Sequence, residues 1–357
     1  MKLQKLKLLQ TAIASLGIIF SLSTQANTPS HLSNVNNEEF ETQPWSLGQI
    51  EFNNHFVKKV SFTSKGSQII GNLFLPKNAI KGSIVIIGPV AYVKEQAPIQ
   101  YASRLVKEGY SVLIFDPRYH GESEGEPRRF ESRKAKIEDL QAATEFMSGL
   151  NSLNNQPIYG LGICQGANWI IEAASIDPRI TKVATTAGHY LTPQVASMYL
   201  GGEEKVQARL TEASEARDLF LQTGKVEYQP IIRTDLVSKS EKVLLGAPVI
   251  KEFYNRWEDK GSFWNFHGLW ENRITTMSEV DIWGHDIRPV AAKLTKPLLM
   301  IHADNAASGP EVPKEIFKLI PSAQKDLVWL ESRNQMQFYE DPLTIDLVTE
   351  HLIKFFN

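Results

Sequence analysis

The chain has 357 residues, 42% of them hydrophobic, with a formal net charge of −2 and a single cysteine. That length exceeds one average domain and fits a single α/β unit carrying an insertion, while the near-neutral charge leaves no footprint for a polyanion, so nucleic acid is not an expected partner. One cysteine excludes an intramolecular disulfide.

Met1 to Lys7 is a short basic start, Leu8 to Leu22 an apolar run, and Ser23 to Asn27 places the small residues Thr24 and Ala26 where a signal peptidase reads. These are the three parts of a secretory signal, so residues 1–26 are expected to be cleaved and the mature protein exported, periplasmic or secreted. The alternative, an uncleaved anchor, is disfavoured because the apolar run falls short of the ~20 residues needed to span a bilayer. The mature form is therefore expected to have no membrane partner. Residues 27–55, rich in Asn, Ser and Glu at their start, read as a flexible lead-in.

From residue 56 the pattern becomes structured. Val57 to Phe62 and Gln68 to Leu75 alternate on either side of Ser64-Lys65-Gly66-Ser67, the signature of an antiparallel hairpin. Ser83 to Ile87 and Ser111 to Phe115 are buried strands separated by an amphipathic helix over Lys94 to Lys107. Arg133 to Met147 reads as a helix, Pro157 to Ile163 as a strand and Thr181 to Thr185 as the next strand. Strand and helix in alternation predict a doubly wound, mostly parallel sheet, with ligands beyond the carboxyl ends of the strands.

Cys164 stands at such an end. The period changes there from a β-branched strand to the helical spacing of Ala167 to Ala174, and Gly162 and Gly166 flank the cysteine as Gly-x-Cys-x-Gly, the thiol form of the nucleophile elbow. A lone cysteine is more often a small buried hydrophobe; the two flanking glycines at this spacing favour the elbow. The helix N-terminus behind it is expected to draw the thiol pKa below its free value of ~8.5 and to help hold an oxyanion.

Over residues 190–288 the alternation breaks. Glu203 to Thr223 is a charged amphipathic helix, and Phe253, Tyr254, Trp257, Phe263, Trp264, Phe266 and Trp270 crowd one stretch. This region is expected to form an inserted helical cap between a first core part, residues 56–189, and a second, residues 289–357. In the second part Lys296 to His302 and Asp326 to Glu331 read as strands, Pro313 to Ile320 and Asp341 to Phe356 as helices.

Phe115-Asp116-Pro117-Arg118-Tyr119-His120-Gly121-Glu122-Ser123-Glu124-Gly125, the Gly-Ile-Cys elbow, Val93-Lys94-Glu95-Gln96 and Asp177-Pro178-Arg179-Ile180 together resemble the α/β-hydrolase superfamily, in particular its dienelactone-hydrolase-like branch, from about Val57 to Phe356. The resemblance implies an α/β-hydrolase fold, a triad in the order nucleophile, acid, histidine, and no cofactor or metal. It implies an ester, lactone or thioester hydrolase working through a Cys164 acyl-enzyme on a small acyl substrate. The alternative is a non-catalytic or acyl-transferring relative that binds an apolar acyl-like ligand under the cap. It sets no oligomeric state.

The sequence departs from that pattern at two places. Asp304 is the carboxylate nearest the acid position, although alignment puts Ala306 there. Gln335 occupies the histidine position, and an amide cannot act as a general base. His189, directly after the strand next to the elbow strand, is the better substitute; His120 on an active-edge loop is second, with His267 and His285 in the cap weaker still. The backbone N–H of Gln165 should form half of the oxyanion hole and Val90 or Ala91 the other half, because Pro89 has no N–H. Lys94-Glu95 reads as a proton shuttle or, more blandly, with Glu95 as a surface carboxylate favoured at a helix start.

Overall fold

The computed structural model describes residues 46–153, 156–258 and 269–357. The signal segment 1–26, the lead-in up to residue 45 and the cap residues Phe263, Trp264, Phe266 and His267 lie outside the described residues. Nine of the described strands form one sheet: β1 (Ser46–Glu51), β2 (His55–Ser64), β3 (Ser67–Pro76), β4 (Gly82–Ile87), β5 (Tyr110–Phe115), β6 (Ile158–Ile163), β7 (Ile180–Thr186), β10 (Leu298–His302) and β11 (Lys325–Trp329). Their spatial order is β1-β2-β3-β5-β4-β6-β7-β10-β11, antiparallel from β1 to β5 and parallel from β5 to β11.

Residues of β4, β5 and β6 are buried without exception, which is why each reads as a continuous apolar run rather than an alternation. Right-handed crossovers then fix where the helices go. The step from β4 to β5 runs one way along the sheet and carries α1 (Ala97–Leu105); the steps from β5 to β6 and β6 to β7 run the other way and carry α2 (Arg133–Ser148) and α3 (Gly166–Ile176). Opposite directions put α1 on one face and α2 with α3 on the other. The closing helix α11 (Pro342–Phe356) packs beside α1, and the short helix before it is tied to α1 where the Tyr101 hydroxyl donates to the Phe338 carbonyl at 2.7 Å.

Between β7 and β10 lie the helices α4 (Pro193–Leu200), α5 (Glu203–Thr223), α6 (Lys251–Glu258), α7 (Glu279–Trp283) and α8 (Arg288–Ala291), with the two-residue strands β8 (Tyr228–Gln229) and β9 (Ile274–Thr275) pairing each other. Arg209 of α5 pairs with the buried Glu279 of α7. Helix α9 (Glu311–Leu319) joins β10 to β11, and the short α10 (Gln337–Glu340) precedes α11. The lead-in reading is corrected at its end: β1 occupies Ser46–Glu51 and pairs with β2. No helix among the described residues is long and apolar enough to cross a membrane.

Candidate active site

Cys164 sits between β6 and α3 with φ of 55°, a left-handed conformation that a cysteine holds only under constraint. Its N–H is held by the Thr186 carbonyl at 3.1 Å. The flanking glycines are there for closeness: a Cβ on Gly162 would stand 2.5 Å from the Gly166 oxygen, and one on Gly166 would stand 2.5 Å from the Ile87 oxygen. Any larger residue would push the helix off the sheet and move the sulfur.

The backbone N–H groups of Gln165, Val90 and His189 and the hydroxyl of Tyr339 surround the sulfur, and each favours its charged form. Burial outweighs them, so the thiol is pushed up to about 11. This corrects the expectation of a thiol below its free value. A helix N-terminus contributes a fraction of a charge, whereas loss of water around a fully enclosed sulfur acts on the whole thiolate.

The loop after β4 is built to aim one amide. Ala91, at φ 50°, donates its N–H to Glu131 Oε2 at 3.0 Å, and its carbonyl accepts from Trp270 Nε1 at 3.1 Å. With that N–H spent, the amide of Val90 faces the sulfur. Glu131 is itself buried and held by Lys136 Nζ at 2.9 Å and, through its own N–H, by Ser278 Oγ at 2.9 Å. His120 stands 3.4 Å from Glu131, but burial first and Lys136 second hold its pKa well down, so it stays neutral there and is not among the residues around the cavity.

A cavity of about 190 Å³ opens over Cys164, between the sheet edge and Leu245, Ile250 and Tyr254 of the segment between β7 and β10. His189 and Gln335 also line it. The His189 ring is buried, lies against Tyr199 and Trp283, has no partner for Nε2 and is pushed down to about 4 by burial. Gln335 accepts the Ala307 N–H on Oε1 at 2.8 Å; its Nε2 donates to the Ala187 carbonyl and to the Tyr339 hydroxyl, each at 3.0 Å. Ala306 is buried on the same wall.

Asp304 is not brought to the site. Its exposed carboxylate accepts from Trp329 Nε1 at 2.9 Å and from the Ser332 N–H at 3.4 Å. Lys94 is buried, and its ammonium meets Asp116, Glu122 and the partly exposed Glu95 at 2.8, 2.7 and 2.9 Å. Among the described residues no group of three or more His, Cys, Asp or Glu side chains could hold a metal ion. Tyr339 and Glu131 were not singled out from the sequence. Tyr339 lies one helical turn beyond Gln335, a spacing that could have paired them; Glu131 lies in a charged loop and gave no signal.

A mostly parallel sheet in this order, with the elbow cysteine at a strand end and helices on both faces, is an α/β-hydrolase fold. Comparison with known proteins agrees. The family described as serine aminopeptidase, S33, matches residues 96–243. An uncharacterized protein of Pseudomonas aeruginosa, PA2218, is 31% identical over 221 residues, 58% of this chain and 58% of that one; its crystal structure superposes with a TM-score of 0.68 over 85% of this chain and 95% of its own. The polyketide transferase grgF of Penicillium is 26% identical over 49% of this chain and 58% of its own, and its structure, named an alpha/beta hydrolase, gives a TM-score of 0.68. The thiohydrolase aneE of Aspergillus aculeatus is 28% identical over 43% of this chain and 50% of its own. The matching stretches therefore span between half and three fifths of these relatives' sequences.

Proposed function

We propose that the protein is a thiol-dependent acyl-handling enzyme: Cys164 takes an acyl group from an activated ester, lactone or thioester and releases it to water or to a better acceptor. One observation carries this reading. The Gln165 and Val90 amides converge on a sulfur at a strained elbow, where an oxyanion forming on an attacked carbonyl would find two fixed donors. The names of the thiohydrolase and the polyketide transferase point the same way.

In the acyl-forming step the Cys164 sulfur bonds to the carbonyl carbon, the bond to the leaving oxygen or sulfur breaks, and the thiol proton passes to that leaving group. We assign the carrying of that proton to His189, whose imidazole is neutral and lines the same cavity. Deacylation by water lacks its usual base, because Gln335 stands in that place. Acylation is therefore expected to outrun release.

The second reading, a binding relative with little turnover, is favoured by the thiol raised to about 11. Incubation with a p-nitrophenyl hexanoate or hexanoyl thioester separates the two. The acyl reading expects a stoichiometric burst and an acyl mass on the intact protein that is absent in Cys164→Ala. No adduct and no turnover at pH 8 leaves only the binding reading.

A further inference from the structure

None of the described side chains around the cavity is Lys, Arg, Asp or Glu. Of the polar groups that reach it, Gln335 and Tyr199 are spent inside the protein, whereas His189 Nε2 has no partner. Gln335 has both ends of its amide engaged, and the Tyr199 hydroxyl donates to the Ala307 carbonyl at 2.9 Å. Val249, Ile250, Leu245 and Met336 supply much of the remaining wall. An apolar cavity of about 150 Å³ takes up benzene, so a cavity of about 190 Å³ has room for an apolar group on the order of six carbons.

We propose that the group this cavity accepts is a short uncharged acyl chain of about six carbons, and that it rejects an acyl chain of the same length ending in a carboxylate. The inference rests on the acyl-handling reading of Cys164 and adds its substrate class. A terminal carboxylate entering here would lose its water and meet no cation among the described residues. His189 does not supply one, since burial keeps its imidazole neutral down to a pH of about 4. Each methylene, in contrast, gains by leaving water until the cavity is full.

The test measures binding without chemistry. Titration of Cys164→Ala with N-acetylcysteamine thioesters at pH 7 should show affinity rising about fourfold per methylene from acetyl to hexanoyl and then levelling, so that dodecanoyl gains no further. The adipoyl thioester should bind at least about tenfold more weakly than hexanoyl. Ala247→Phe, made at a half-buried cap position on the wall, should move the plateau to a shorter chain. Equal affinity for adipoyl and hexanoyl overturns the proposal, as does a gain that continues to dodecanoyl or a plateau that Ala247→Phe leaves unmoved. Wild-type acylation is read separately by intact mass. Absence of an adduct with the binding preference intact defeats the acyl reading and leaves the ligand class standing; an adduct without the preference does the reverse.

Discussion

Gln335 is held by groups that can bond in only one way. The Ala307 N–H can only donate and the Ala187 carbonyl can only accept, so the amide oxygen must face the first and its nitrogen the second. That nitrogen also donates to the Tyr339 oxygen, which leaves the phenol's own proton for the sulfur. Burial and the neighbouring thiol keep Tyr339 well above its ordinary pKa, so it remains a donor. A hydrogen bond to a charged partner contributes about 1.5–3 kcal/mol, or one to two pH units. Tyr339→Phe should therefore slow iodoacetamide alkylation of Cys164 by about tenfold or more at a fixed pH. The wild-type rate should climb about tenfold per pH unit from pH 7 towards 11, and a plateau below pH 9 would contradict the buried, raised thiol. Where Gln335 and Ala306 now meet on one wall, the double change Gln335→His with Ala306→Asp should restore a base and its orienting acid. Release of the acyl group should rise by roughly 10²–10⁴-fold, read as loss of the burst; an undiminished burst would show that deacylation is limited elsewhere.

Elements were legible where their pattern is local. The buried strands β4, β5 and β6 announced themselves as apolar runs, and α5 spans the expected Glu203 to Thr223 to the residue. β1 was missed because five of its six residues are exposed and the sixth is only half-buried; backbone pairing with β2 makes it a strand, and no side-chain pattern records that. The elbow was legible from two glycines, but the raised thiol was not, since it depends on cap residues about 80 positions away. Separations of 40 and 147 positions hide Glu131, which joins the loop after β4 to the segment between β7 and β10 by taking the Ala91 N–H and the Lys136 ammonium while its own N–H is held by Ser278. Removing it strands a buried cation. Glu131→Ala should cost about 3–5 kcal/mol in urea denaturation, and Glu131→Gln, which keeps an acceptor for Ala91, should retain more acylation rate at equal folded fraction. Equal stability of Glu131→Ala and the wild type would mean that Lys136 has another counter-charge.

At the scale of the molecule, the segment between β7 and β10 meets the sheet's helices through a buried group that resists protonation. His285, just past α7, lies against Trp169 of α3 with ring centroids 5.4 Å apart, and its Nε2 has no partner. Burial first, then Arg133, pushes its pKa down to about 4, against about 6.5 in an unfolded chain. The unfolded state thus binds the extra proton between these values. Stability is whole above pH about 6.5, falls as pH drops towards 4 and levels below, with a slope near 1.4 kcal/mol per pH unit inside that window. His189 and His302, also pushed down to about 4, act in the same sense. Glu95, Asp139 and Asp281, raised by burial, act in the opposite one because their folded forms take up protons first. Total acid sensitivity mixes all of these, so a difference isolates His285. In His285→Phe the ring contact with Trp169 is kept and the titration removed, and the slope of unfolding free energy between pH 6 and 4.5 should fall by about one proton, near 1.4 kcal/mol per pH unit. An unchanged slope would show that His285 titrates normally and that the joint between cap and core opens to water before the molecule unfolds.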